Sequence, residues 1–353
     1  MSSPVASTPP TTAPTTRQPL WDNARFVAIA LVVVGHAILK LIGESDEAYG
    51  VYLFIYAFHV PVFVAVAGYF AKADAPGPKQ LKRLVTDLLL PYLIFETIWT
   101  GIQWAVTGQA RIDFVSPSWT LWFLLALIMW RVALPYLALL RFPLLISVVL
   151  SVASGYLPAL NGVLALDRTF ALLPFFVLGW KVRQLPLTEL WLTASTRTVL
   201  LVRAGAVALF GVLAVVITVG LPFWREVSIR RVFLFQEAYP SFGYDEWWAG
   251  ALRLIAIGVA GLLVFAFLAL VPRGTTWFSS YGQATLYVYL LHTFVLYPFR
   301  QSGWLDGEQP WWMLPGLIVF SVLVAVLLSQ PFVRRVFRPL VEPRADWLFA
   351  RRG

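Results

Sequence analysis

Residues 20–36 read LWDNARFVAIALVVVGH, and the fold is decided there. After Arg25 the stretch is almost wholly apolar, and it continues to about residue 42. A hydrocarbon core about 30 Å thick needs about 20 apolar residues of helix, so 24–42 predicts a membrane-crossing helix. The preceding residues 1–19, MSSPVASTPPTTAPTTRQP, are rich in Ser, Thr and Pro. They predict a disordered tail. No small-x-small cleavage pattern follows the apolar run, so the first helix is expected to stay as an anchor.

Nine more runs of this kind follow, at 51–71, 84–106, 118–135, 142–158, 169–184, 198–222, 247–271, 284–300 and 311–332. The expectation is an all-α integral membrane protein, a bundle of about ten transmembrane helices. Composition agrees. The chain is 59% hydrophobic and 13% charged, against about 25% charged in soluble domains. A soluble fold of this length cannot bury so much apolar surface.

The domain expectation is a tail at 1–19, a membrane domain at 20–333 and a basic tail at 334–353. The net charge of +9 does not point to nucleic acid, because the Lys and Arg residues fall in the gaps between apolar runs. Lys72, Lys79, Lys82 and Arg83 follow the second run, and Arg334, Arg335, Arg338, Arg344, Arg351 and Arg352 follow the last. Glu44, Asp46 and Glu47 follow the first. The positive-inside rule then puts both termini in the cytoplasm of a multi-pass protein of the cell membrane. The outer gap 223–246 is long and polar, with Arg225, Arg230, Arg231, Glu237, Tyr239, Asp245 and Glu246. Such loops are more often functional than passive.

Ionisable groups within the spans are costly and mark function. At about 1.5 Å per residue, His36, His59 and Glu96 fall roughly 18 Å from the cytoplasmic face and His292 roughly 12 Å. Three histidines and one carboxylate are thus expected near the midplane. The bland reading of each is a helix-to-helix hydrogen bond. Arg25 and His36 are eleven residues apart, almost three turns, so they share a helix face about 16 Å apart. One reading is a guanidinium holding an anion at the membrane edge while an imidazole moves a proton deeper in. The other is a topology charge and an unrelated His. For Lys79, Lys82 and Arg83 the bland reading is topology or lipid head-group contact. With no Cys and only three His, thiol chemistry is excluded. A zinc site of three His on three helices is a further option, one that no spacing supports.

Arg25 and His36, ten residues between them, carry the pattern of the acyltransferase 3 family of integral membrane acyltransferases, and the chain resembles its fucose 4-O-acetylase-like branch. Matching segments follow in order: FHVPVFVAVAGYF (58–70), LKRLVTDLLLPYLIFE (81–96), PSWTLWFLLALIMWR (117–131), FFVLGW (175–180) and TLYVYLLHTFVL (285–296). The likeness runs over about 20–330. It implies transfer of an acyl group, usually acetyl from cytoplasmic acetyl-CoA, to a hydroxyl of a sugar, glycan or related acceptor at or across the outer face. It makes His36 the catalytic His, Arg25 the motif Arg, and Lys82 and Arg83 the basic residues associated with the CoA phosphates. His292 falls on a late helix His of the family, and the resemblance implies no metal. The chain departs from common relatives at Ala67-Gly68, where many have Ser-Gly. It departs again at 119–124, where Trp-Thr-Leu-Trp-Phe-Leu lacks a Glu that many carry.

The mechanism expected is direct transfer with His36 as general base. Acetyl-CoA is a co-substrate, not a bound cofactor, and its pantetheine arm spans from Arg25 to His36. Glu96 is a candidate to orient His36 or hold the acceptor, and His59 or His292 to donate to the thioester oxyanion. A multi-pass transporter or flippase is the competing class, since midplane ionisable groups suit it too. A membrane protein without chemistry is a third.

Overall fold

A computed structural model describes residues 17–109, 112–244 and 246–349. Most of the polar tail, Asp245, Arg351 and Arg352 lie outside the described residues. All regular structure within them is helical. Along the chain the α-helices are α1 (Pro19–Ala37), α2 (Asp46–Tyr56), α3 (His59–Tyr69), α4 (Pro78–Leu84), α5 (Leu90–Thr107), α6 (Trp122–Ala138), α7 (Pro143–Ser154) and α8 (Leu166–Gln184). They continue as α9 (Leu187–Thr193), α10 (Thr196–Val219), α11 (Leu221–Glu226), α12 (Ile229–Phe233), α13 (Ala249–Leu270), α14 (Thr285–Gln301), α15 (Met313–Leu328) and α16 (Pro331–Val341).

Each of the ten apolar runs contains helix, but not ten helices of crossing length. Five stretches are long and apolar enough to cross a membrane: Pro19–Gly43, Asp46–Tyr69, Pro78–Thr107, Thr196–Val219 and Ala249–Leu270. A sixth is added if α15 and the segment Pro331–Leu348, bent by 74° at their junction, form one span. The other runs give shorter or more polar helices. Those of α6 and α7 are apolar but 17 and 12 residues long.

Local chemistry sets several boundaries. α1 starts at Pro19 rather than at residue 24, because Pro suits the first helical position and Asp22 complements the exposed N–H groups of the first turn. The second run is broken at Ala57–Phe58, so His59 begins α3. In the third run Pro91 has no N–H to return to the preceding turn. The helix widens there into a π turn, and the N–H of Leu90 donates to the carbonyl of Val85. α5 ends at Gly108, whose φ of 72° is the left-handed conformation of a C-terminal cap.

α3 and α8 meet backbone to backbone. A methyl group on Gly68 would lie 1.9 Å from the carbonyl oxygen of Phe176, and one on Gly179 1.8 Å from that of Ala65. Small residues allow this approach in a membrane bundle, where packing rather than water drives helix association. α1, α3 and α8 lie within the buried core, with the ring of Trp130 stacked on Phe176 at 5.4 Å.

Candidate functional site

Ile29, Val32, His36 and Leu39 recur at the three- and four-residue spacing of one helical face, and all four line a cavity of about 270 Å³. Arg25 lies one turn before Ile29 on the same face. His36 occupies the last turn of α1, where the helix tightens into a 3₁₀ segment over Ile38–Gly43. The cavity is walled by Tyr52, Tyr56 and His59 from the broken second run, by Trp119 and Trp122, and by Tyr289 of α14. Arg168, at the start of α8, and Arg230, on α12, complete it.

Two of the three histidines meet. His36 Nδ1 lies 2.9 Å from His292 Nε2, with the rings stacked at 5.2 Å and 16°. His292 Nδ1 lies 2.9 Å from the carbonyl oxygen of Val288. A carbonyl only accepts, so His292 Nδ1 carries the hydrogen and its neutral ring presents Nε2 as an acceptor. His36 Nδ1 must therefore donate to it, which leaves His36 Nε2 with a free lone pair. The chain of bonds fixes the tautomer of His36, a task often performed by a carboxylate. His59 Nδ1 donates to the carbonyl of Ile55 at 2.9 Å across the helix break, and its ring packs edge-on against Tyr56 at 4.4 Å. His59 and His36 share the cavity.

Glu96 is buried, but its carboxylate is bound to Ser118 rather than to His36. It accepts from the Ser118 N–H at 2.9 Å and from Ser118 Oγ at 2.5 Å. The next residue, Trp119, has φ of 45°, a costly region for a bulky side chain. Its ring sits 6.0 Å from His36, with the Arg300 guanidinium 4.4 Å above it. Glu96 thus holds the loop that presses Trp119 towards His36.

The basic candidates divide. Arg25 stacks on Phe70 at 4.1 Å and lies 3.7 Å from Asp22, whose carboxylate is held more closely by Arg17 at 2.5 and 2.8 Å. Lys82 pairs with Asp346 at 2.8 Å and lies 4.9 Å over the ring of Phe349. That ammonium holds the exposed Asp346 carboxyl below its usual range. Arg83 stands beside Lys82 on α4, one turn of which is all that separates it from Lys79. No contact joins this pair to Arg25 among the described residues. Nor do three His, Asp or Glu side chains converge there as metal ligands.

One residue that the sequence reading passed over organises the whole site. Asn23 is completely buried. Its Nδ2 donates to the carbonyls of Pro272 and Gly274, each at 2.9 Å, and its Oδ1 accepts from the hydroxyls of Thr276 and Ser279 at 3.0 and 2.7 Å. Every hydrogen-bonding capacity of the amide is used. Gly282 also lies against the backbone of Asp22, where a methyl group would come 2.1 Å from its carbonyl oxygen. Both contacts tie α1 to the segment leading into α14, and so set His36 against His292. Asn23 stands two residues before Arg25 in LWDNAR, and a neutral amide at the mouth of an apolar run was its only signal. Arg168 was passed over as well. Its signal was a cation on the side where positive charge is disfavoured.

An acyltransferase-domain model, that of the acyltransferase 3 family, matches residues 20–330. The chain belongs to the acyltransferase 3 family. It is also 35% identical over 88 residues to the nodulation protein NolL of Mesorhizobium japonicum, a match that covers 23% of each chain. No solved structure matches.

Proposed function

We propose that this membrane acyltransferase moves an acetyl group from cytoplasmic acetyl-CoA to a hydroxyl of a sugar, glycan or related acceptor, with His36 as general base. The observation that carries the proposal is the chain from the Val288 carbonyl through His292 to His36, which leaves Nε2 unprotonated on a side chain that lines the cavity. His36 Nε2 takes the hydroxyl proton as the acceptor oxygen bonds to the thioester carbonyl carbon. The developing imidazolium stays hydrogen-bonded to His292. As the C–S bond breaks, the CoA thiolate leaves and recovers that proton. His59 Nε2, free because Nδ1 is spent on Ile55, has no hydrogen to give in this tautomer. A donor to the thioester oxyanion is therefore better sought in a tyrosine hydroxyl of the cavity wall.

Arg25 stands at the foot of the face that leads to His36, about 16 Å along the helix axis. That fits a cation holding a phosphate of CoA while the pantetheine arm reaches inward. Lys82 and Arg83 supply further positive charge on the same side in this topology. Both termini then lie in the cytoplasm of the cell membrane. Ten crossings satisfy that arrangement if the shorter helices α6, α7, α8 and α14 also traverse the bilayer.

The test is acetyl-CoA binding and turnover by the purified protein in nanodiscs. Wild type is expected to bind and consume acetyl-CoA. Arg25→Ala should weaken binding, and His36→Ala should bind but lose turnover by about 10²–10⁴-fold. A wild type that neither binds nor consumes acetyl-CoA or longer acyl-CoAs would sink the proposal. Full turnover in His36→Ala would remove the role of that residue.

A further inference from the structure

The cavity beside His36 holds two positive side chains, Arg168 and Arg230, and no Asp or Glu side chain lines it among the described residues. Arg231, Arg253 and Arg300 at this end of the bundle also have no ion pair among the described residues, but they do not line the cavity, and two further cations are matched. Lys40 pairs with Asp306 and Arg225 with Asp46, each at 2.8 Å. Arg168 and Arg230 have no ion pair among the described residues.

Arg168 is nevertheless held in place. Its guanidinium lies 4.7 Å over the Trp122 ring and donates to Gln236. Asp167 is next in the chain, but its carboxylate accepts from the N–H of Glu237 at 3.4 Å and does not line the cavity. A guanidinium has five N–H donors in a fork that matches carboxylate and phosphate oxygens, and a single protein hydrogen bond leaves most of that fork for a ligand. The carboxylates of Asp167 and Glu237 act on Arg168 from outside the cavity lining, so on the cavity side this fixed cation faces largely apolar walls, where an anion is the fitting partner.

We infer that the acceptor of this enzyme bears an anionic group, a carboxylate or a phosphate, which Arg168 and Arg230 hold while a hydroxyl of the same molecule meets His36. The inference rests on the acyl-transfer reading for the hydroxyl but not for the anion. Its size fits: about 270 Å³ lies at the small end of ligand pockets, enough for one monosaccharide-sized group. The aromatic walls formed by Tyr52, Tyr56 and Trp119 suit the apolar face of a sugar ring. Since neutral and anionic sugars present the same hydroxyls, the two arginines are the feature that would select between them.

The experiment titrates the full-length protein in nanodiscs with methyl β-glucuronide, glucose 1-phosphate and the neutral methyl β-glucoside, and measures binding by calorimetry. A charged hydrogen bond is worth about 1.5–3 kcal/mol, so an anionic probe should bind roughly tenfold to a hundredfold more tightly than the glucoside. Which anion wins separates carboxylate from phosphate. Arg168→Gln should bring the preference close to onefold, Arg168→Lys should retain part of it, and Arg230→Gln should reduce it even if the Arg168 variants fail to fold. Wild type that shows no preference for either anion, including no binding at all, overturns the inference. So does a preference that survives in both Arg168→Gln and Arg230→Gln. Acetyl-CoA binding and hydrolysis by the same preparation separate the two proposals. Charge preference in a protein that neither binds nor consumes acetyl-CoA or longer acyl-CoAs refutes acyl transfer and keeps the anion site. Hydrolysis without charge preference does the reverse.

Discussion

α1 with its 3₁₀ extension and α10 are nearly equal in hydropathy and opposite in role. Their most apolar windows average 2.3 and 2.5, yet 67% of the first is buried in the protein and 11% of the second. Both could cross a bilayer, and hydropathy alone cannot rank them. What separates them is polarity that has been paid for structurally: Asp22, Asn23 and His36 on α1 each have a partner on another part of the chain or in the preceding residues. α10 turns its valines outward, with Val207, Val212 and Val215 each 60% exposed. In a membrane bundle an apolar run says where lipid is tolerated. A satisfied polar residue within it says where protein must be.

The largest effect that would sharpen this contrast comes from the far end of the histidine pair. His292→Leu removes the acceptor for His36 Nδ1, and turnover of acetyl-CoA should fall on the order of tenfold to a hundredfold, as losses of orienting partners do. His292→Gln retains a carbonyl that can accept, and should recover part of the loss. The acid limb of the rate against pH should also move in the Leu variant, because His36 then titrates without its partner. Equal rates for wild type and His292→Leu would show that the pairing does not position the base.

Next in size is Asn23→Ala. The carbonyls of Pro272 and Gly274 would each lose a buried donor, at roughly 1–3 kcal/mol apiece. Thermal stability should fall accordingly, and turnover should fall with it because α1 loosens from the segment leading into α14. A variant as stable as wild type would remove Asn23 from its place between the two histidine helices. Gly179→Ala follows. Its methyl group would meet the Ala65 carbonyl oxygen at 1.8 Å, so α3 and α8 must part, at about 1–3 kcal/mol for overpacking. An unchanged melting temperature would mean that the helices do not pack there so closely.

The same contrast explains what the sequence could and could not disclose. Runs of apolar residues located helix at all ten places, because lipid demands local composition. They did not count crossings, because a helix of 12 or 17 residues leaves an apolar trace similar to that of a longer one. Proline moved boundaries in opposite ways: Pro19 started α1 early, while Pro91 widened a turn within the third run. The spacing of Arg25 and His36 was legible, being a property of one helix. The approach of His36 to His292 was not, since 256 residues separate them and nothing in a single sequence pairs residues across such a distance. Glu96 shows the same limit. Its depth suggested the histidines, but its partner is Ser118, in a loop that no periodicity describes. Arg168 and Arg230 stood in the gaps between runs, where polar residues are ordinary.

The smallest expected effect completes the comparison from the lipid side. Val212→Ala on α10 removes two methyl groups from a largely exposed face, and lipid is as apolar as the side chain it replaces. Stability should change by less than about 0.5 kcal/mol and turnover not at all. Ala206, on the same helix, is 6% exposed and belongs to a small cluster with Ala266 and Ala269 of α13. Ala206→Leu should therefore cost about 1–3 kcal/mol by forcing α10 from α13, although it raises the hydropathy of the run. If unfolding assays in nanodiscs found the two substitutions equally harmless, α10 would be held by lipid alone. If they found Val212→Ala the more damaging, the outward face of α10 would be a protein interface, and the division between the two helices would fail.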